Sequence, residues 1–225
     1  ELEAFLVRRE TEPGAVAALL AGEGAQALEG RLENLDRLYD AGVRMMSPAH
    51  FSDTEIGGSA HGLEAGGLTP LGREWLRRME DKGMIVDIAH ASPATIEEIL
   101  SLARRPVVVS HTGVRGTCDS KRNLSDDQLR AIAENGGLIG VGYWTFAVCG
   151  DDLAAIARAI RHAASVAGLG HVALGSDFDG AVTIPLDASQ LDRLTGALLE
   201  AGLGEDDVRR VMGANLLDFL RRNLP

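Results

Sequence analysis

Six short, unbroken apolar runs recur along the chain, each followed by a loop and an amphipathic stretch. They are Ala17–Gly22, Gly42–Ser47, Met84–Ala89, Val107–Ser110, Leu138–Tyr143 and Val172–Ser176. Continuous rather than alternating apolar character suits strands covered on both faces, the situation of a parallel sheet. The stretches between them carry helix-start signals. Thr69-Pro70 and Ser92-Pro93 set a capping residue before a proline at the first helical position. Ser125-Asp126-Asp127-Gln128 is a capping box, with Leu124 and Leu129 placed as its hydrophobic staple. Further helices are expected over Asp152–Ala167, Ser189–Ala201 and Glu205–Arg222.

Strand–helix alternation with short connections implies parallel strands and right-handed crossovers. An open doubly wound sheet would gather ligands at one switch point. A barrel would set functional side chains at the C-terminal ends of many strands. The second pattern is present: five of the runs lead into Glu23, His50, His90, His111 and Asp177. A lone histidine at a strand end is more often a satisfied structural group. Five ionisable residues at one mouth would be costly to bury without a ligand. The expected fold is therefore an α/β single domain over residues 1–225, a (β/α)8 TIM-type barrel of the metal-dependent hydrolase kind. Six visible runs, against the eight strands of a full barrel, give the expectation that about two N-terminal strands are absent. The start, Glu1-Leu2-Glu3-Ala4-Phe5-Leu6, reads like a helix interior, and it lacks an initiator Met and a signal peptide.

Two imidazoles and a carboxylate suit Zn²⁺ or a similar borderline ion, and three protein ligands with an open position is the catalytic arrangement. Such an ion lowers the pKa of a bound water, and a nearby carboxylate, Asp177, can move its proton. No G-x-S-x-G elbow, Walker A or G-x-G-x-x-G occurs, which removes serine-hydrolase, P-loop and dinucleotide chemistry. A net charge of −11 without a basic block argues against nucleic acid, and no run of eighteen apolar residues points to a membrane. Cys118 and Cys149 are expected to be packing or loop residues in a reducing, cytoplasmic setting.

Several segments resemble the renal (membrane) dipeptidase family, peptidase family M19: Gly22-Glu23-Gly24-Ala25, Gly42-Val43-Arg44-Met45-Met46, Asp87-Ile88-Ala89-His90, Ser110-His111, Lys121 to Asp127, and Gly175-Ser176-Asp177-Phe178-Asp179-Gly180. The resemblance runs from Glu23 to the C-terminus. It implies a barrel with two zinc ions that hydrolyses dipeptides. Glu23 is then the bridging carboxylate, and His90 and His111 are ligands of the second metal. His50 lies over the metals and stabilises the tetrahedral intermediate. Arg122 holds the substrate carboxylate, and Asp177 meets the substrate amine and takes part in proton transfer. The implied partner is a small dipeptide, with a homo-oligomer left open.

The sequence departs from that pattern at the front. No His-x-Asp pair precedes Glu23, so either a segment is missing or the first metal site is lost and one ion is held. Gln26 stands where a His often follows the Glu-Gly pair, and Tyr143 is the nearest candidate for a tyrosine contact to the substrate carboxylate. Among weaker candidates, His61 sits in a glycine-rich loop and is either a mouth residue or a loop residue. Asp179 in an Asp-Gly pair reads as a turn former. Asp87 is either an orienter of a ligand or a satisfied core acid. His162 in a helix and His171 at a strand start read as structural, and Arg122 has a solvated surface charge as its alternative. Two other activities stay open: a related metallohydrolase acting on another amide or a lactone, and a degenerate metal-binding relative without activity.

Overall fold

The computed structural model describes residues 1–225. Each of the six apolar runs coincides with one strand, β4 extending two residues beyond its run: β1 (Leu20–Gly22), β2 (Val43–Met46), β3 (Ile85–Val86), β4 (Val108–Thr112), β5 (Leu138–Val141) and β6 (Val172–Leu174). All ladders are parallel, and the strands pair in chain order as two three-stranded sheets, β1-β2-β3 and β4-β5-β6. A single parallel bridge, Asp87 to Val108, connects β3 to β4, where the Ile88 N–H donates to the Val108 carbonyl at 2.8 Å. The chain is thus α/β with consecutive parallel strands. It has the six strands expected, but in two three-stranded sheets with no ladder joining β6 to β1, so a closed barrel is not formed.

Ten α-helices surround the strands: α1 (Leu2–Thr11), α2 (Glu33–Asp40), α3 (Pro70–Asp81), α4 (Pro93–Leu102), α5 (Asp126–Glu134), α6 (Thr145–Val148), α7 (Leu153–Ala167), α8 (Leu191–Glu200), α9 (Glu205–Arg209) and α10 (Asn215–Asn223). The capping signals act as expected. Thr69 Oγ1 accepts from the Gly72 N–H and Ser92 Oγ from the Thr95 N–H, which start α3 and α4. Ser125 and Gln128 exchange both capping-box bonds at α5, and the staple residues Leu124 and Leu129 are buried. Asp152 caps α7 through the Ala155 N–H. The helix expected over Glu205–Arg222 is instead interrupted: Arg210–Ala214 is a π-helical turn with non-helical backbone at Gly213. Asn215, just past that break, donates to the carbonyls of Leu169 and Val172 and ties α10 to the start of β6. No helix is long and apolar enough to cross a membrane.

At the N-terminal side of the sheet, Ile85, Val108, Leu138 and Ala173 pack with Phe219 of α10. This apolar plug leaves the opposite strand ends for polar groups. Strands β4, β5 and β6 approach closely because two residues have no side chain. A Cβ at Gly140 would come to 2.2 Å from the Ser110 carbonyl oxygen, and one at Gly175 to 2.5 Å from the same atom.

The cysteines correct an expectation. Cys118 and Cys149 form a disulfide, with Cα atoms 5.2 Å apart, rather than standing as free packing residues. Their spacing resembled no motif, and only the fold brings the loop after β4 against the end of α6. Disulfides persist in oxidising surroundings, so the cysteines no longer support a cytoplasmic placement.

Two glycines test this packing. Gly140→Ala is expected to cost about 1–3 kcal/mol, because its methyl meets backbone rather than a movable side chain. Gly196→Ala in α8, where a Cβ would meet nothing within 4 Å, is expected to stabilise by about 0.5–1 kcal/mol through helix propensity. Urea unfolding of the two variants measures both; equal effects would contradict the close strand approach.

Candidate functional site

The polar strand ends gather on one side. Glu23 directly follows β1, His90 lies four residues beyond β3, His111 is within β4, and Asp177 lies three residues beyond β6. Oε1 of Glu23 is 3.1 Å from His90 Nε2 and 3.3 Å from His111 Nε2, and the two Nε2 atoms are 2.8 Å apart. Ligand atoms held at about 2.0–2.1 Å around a tetrahedral ion stand about 3.3 Å from one another. The three donors are thus spaced as one ion's ligands are. His50 joins from the loop after β2, with Nε2 3.7 Å from Glu23 Oε2, and its donor atom falls with those of Glu23 and His90 in one group.

The chain strains its backbone to aim these groups. His90 has φ 62° and Asp177 φ 58°, left-handed conformations that cost a non-glycine residue about 1 kcal/mol or more. Gly24, at φ 90°, turns the chain after Glu23, and its N–H donates to Ser47 Oγ at 2.7 Å. Gly180 leaves room beside Asp177, since a Cβ there would lie 2.1 Å from its Oδ1. The loop over the site is pinned by Asp53, whose carboxylate accepts from the N–H groups of Ser59 and Glu64. Ser59 Oγ in turn donates to the His50 carbonyl.

Burial controls protonation. It pushes His90 down to about 4, against the opposing hydrogen bond to Glu23. It pushes His111 down to about 3, aided by the Arg122 charge. Both imidazoles are therefore neutral near pH 7, the form that ligates metals. Glu23 is held down to about 2, chiefly by its hydrogen bond with His90. Burial raises Asp177, with the charges of Glu23 and Asp179 adding to it. Asp87 is a buried acid whose Oδ1 accepts from the Ala89 and Ser110 N–H groups. Ser110 Oγ lies 3.0 Å from His111 Nδ1, so Asp87 supports His111 through Ser110. His90 Nδ1 is buried with no partner.

Arg122 reaches the same region from the loop between β4 and α5. Nη2 donates to the His111 carbonyl at 2.9 Å, while Nε is buried and unpartnered. Burial brings its pKa down to about 10, and Asp87, Asp177 and Glu23 oppose that fall. It is therefore not a solvated surface charge. A cavity of about 560 Å³ is lined by Glu23, His50, His90, Arg122 and Asp177. A second, of about 370 Å³, lies behind it and is lined by His111 with Glu23, Asp87, Ser110 and Asp177. All six expected residues thus border one connected polar region.

His61 and Asp179 also line the larger cavity, as do Phe51, Trp144 and Phe146, which the sequence reading passed over. Trp144 follows the run Leu138–Tyr143, the one run whose end was not counted because it is not ionisable. Tyr143 is not among the lining residues; its hydroxyl is buried without a partner, and burial pushes its pKa up. His162 bonds Asp126 at 2.7 Å and His171 bonds the Gly137 carbonyl at 2.8 Å, both away from the cavity.

Residues 4–223 match the family model "Membrane dipeptidase (Peptidase family M19)". The chain belongs to this family. It is 34% identical over 218 residues to Dipeptidase aclJ of Aspergillus oryzae, covering 92% of this chain and 52% of that protein. The chain thus spans about half the length of that curated relative. A metallo peptidase from Rhodobacter sphaeroides, liganded with a phosphinate mimic of the dipeptide L-Ala-D-Ala, superimposes with a TM-score of 0.88 at 27% identity, over 97% of this chain and 66% of the other. An amidohydrolase from Pseudomonas aeruginosa gives 0.85 at 25% identity, over 96% and 75%.

The buried imidazoles set an acid dependence. Their folded values, about 4 and 3, lie below the ordinary 6.5. As pH falls below about 6.5 the unfolded chain takes up protons that the folded chain refuses, so stability drops. In chelator-treated protein, the thermal midpoint is expected to fall between pH 7 and 5, and less steeply in His111→Gln. Parallel profiles for the two proteins would show that His111 is not held neutral by burial.

Proposed function

We propose that this site hydrolyses dipeptides with the help of zinc held by Glu23, His90 and His111. The observation that carries the proposal is the convergence of one carboxylate oxygen and two neutral imidazole nitrogens within 3.3 Å of one another at the strand ends. These donors fit one ion. A second ion, as in the family's two-zinc arrangement, would be held in part by Glu23, whose carboxylate also faces His50. When bound, zinc supplies Lewis acidity and a water acidic enough to attack near neutral pH.

The chain's own residues bind and orient the substrate. A dipeptide is a zwitterion with its charges a few bonds apart. The Arg122 guanidinium, with Nε free, offers a fork to the terminal carboxylate. Asp177 faces the ammonium group. Burial raises Asp177, which brings it closer to accepting the proton of the attacking water and returning it to the leaving nitrogen. His50 Nε2, on the other side of Glu23, donates to the oxygen that becomes negative as the carbonyl carbon turns tetrahedral. Phe51, Trp144 and Phe146 wall the cavity and limit water there. The phosphinate dipeptide mimic held by the Rhodobacter sphaeroides relative supports this substrate class. We also assign the six consecutive parallel strands to a (β/α)8 barrel wall, since their ends share one polar mouth, as barrel strands do.

Zinc content by mass spectrometry and turnover of a simple dipeptide test the proposal. His111→Ala is expected to lose zinc and hydrolysis. His162→Ala, whose ring bonds Asp126 on the helical layer, is expected to keep its zinc. Equal zinc loss in two folded variants would remove the strand-end ligand set.

Arg122→Lys is expected to lower kcat/KM for dipeptides by about tenfold or more, because a point charge replaces a planar fork. Unchanged kinetics on dipeptides with a free carboxylate would take Arg122 out of substrate binding.

A further inference from the structure

The loop that carries Arg122 has no regular secondary structure between β4 and α5, yet the guanidinium must keep its place against the His111 carbonyl. The base of that loop is closed by the Arg115 N–H to the Leu124 carbonyl at 2.8 Å and the Leu124 N–H to the Gly113 carbonyl at 3.1 Å, and two cross-links fasten it to one neighbour, α6. The first is the Cys118–Cys149 bridge, joining a residue four before Arg122 to the residue that ends α6. The second is Asn123, buried and adjacent to Arg122. Its single side-chain amide nitrogen donates to the Cys118 carbonyl at 2.8 Å, within the loop, and to the Ala147 carbonyl at 2.9 Å, within α6. Gly113 lets the two segments meet, since a Cβ there would lie 2.1 Å from the Ala147 carbonyl oxygen. The α6 segment also carries Trp144 and Phe146, which line the cavity together with Arg122.

We infer that Asn123 and the Cys118–Cys149 disulfide are positioning residues for Arg122, fixing its guanidinium against the His111 carbonyl at the cavity wall so that carboxylate recognition depends on the bridge. The inference rests on the proposed dipeptide reading. The Asn123 bonds alone reach only one point on α6, and the segment from Cys118 to Arg122 has few backbone bonds of its own: the Cys118 N–H to the Val114 carbonyl at 3.0 Å, the Asn123 N–H to the Ser120 carbonyl at 3.0 Å and the Arg122 N–H to Ser120 Oγ at 3.4 Å. Opening the bridge frees residues 118–122 to swing about Asn123. The metal-facing groups stand at strand ends, and only the backbone carbonyl of His111 is tied to this loop, through Arg122, so their side chains keep their arrangement.

An external dithiol performs the opening. It breaks the S–S bond, leaves two protein thiols, and is itself closed to a cyclic disulfide. Oxidised and dithiol-reduced protein are compared, together with Cys118→Ser/Cys149→Ser and Asn123→Ala, in two measurements. The first is hydrogen exchange of peptides spanning residues 113–124. The second is calorimetric binding of two probes, a phosphinate dipeptide mimic with a free C-terminal carboxylate and the same molecule as its carboxamide. Reduction is expected to speed exchange in 113–124 and to weaken the carboxylate probe by about tenfold, the loss of one well-placed charge-assisted fork. The carboxamide probe is expected to change less than about twofold. Unchanged exchange, or equal weakening of both probes, would overturn the inference and reduce the bridge to a general stabiliser. Oxidised protein that binds neither probe would instead overturn the dipeptide reading itself, and the role of Arg122 with it.

Discussion

Two imidazole nitrogens 2.8 Å apart, with a carboxylate oxygen about as close to each, make an arrangement that neutral side chains alone satisfy poorly. Both rings are kept neutral by burial, so each carries one proton to share between two nitrogens. His111 has a partner for its second nitrogen in Ser110, while His90 has none for Nδ1. A single Nε2 proton on His90 can satisfy only one of its two close acceptors, Glu23 Oε1 at 3.1 Å or His111 Nε2 at 2.8 Å. A cation at the centre of the three donors relieves that crowding, and much of the surrounding backbone exists to hold the crowding in place. His90 sits in a left-handed conformation, Gly24 turns the chain behind Glu23, and Asp87 fixes Ser110 beside His111.

Parallel strands in chain order make this possible at small cost. Each strand brings one residue to the same side, and helices capped by Thr69, Ser92 and Ser125 return the chain for the next. Packing at the opposite ends, around Phe219, keeps apolar burial apart from the polar cluster. The strained residues therefore lie where the sheet is already secured. This division is the usual way in which an α/β scaffold carries a site whose own interactions are unfavourable.

Much of this was legible in the residues, and what was not has identifiable causes. The six strands were visible because strands buried on both faces need unbroken apolar runs. The helix starts were visible because capping is local chemistry. The expectation that Glu23, His50, His90, His111 and Asp177 gather followed from topology once parallel order was accepted, whereas Arg122, on a loop, was legible only through the family resemblance. The disulfide was not legible, since thirty-one residues separate its partners and only tertiary packing brings them together. The aromatic wall escaped notice because Trp144 and Phe146 carry no ionisable group to mark them as site residues. The break at Arg210–Ala214 was missed because Gly213 is a weak signal inside a strongly amphipathic stretch. How the strands pair was the other point of difference, because run counting cannot tell that they form two three-stranded sheets joined by one bridge.

The charges around the cavity lead to one more step. Glu23 and Asp177 lie toward β1 and β6, while Arg122 comes from the far side of the β4–α5 loop. Arg122 is buried enough for its pKa to drop, yet one of its nitrogens has no acceptor. A guanidinium in that condition is incomplete until an anion arrives, and a planar carboxylate matches its fork. Asp177, raised by burial and by its acidic neighbours, is improved by an ammonium group for the converse reason. A molecule that answers both needs at once carries a positive and a negative end a short distance apart. A free amino acid is shorter and holds no amide to place over the histidine cluster. A longer peptide cannot set both its termini on the two anchors without folding back. On the proposed reading, these two charges favour a substrate by its length, and a dipeptide is the shortest molecule that offers both charges with a scissile bond between them.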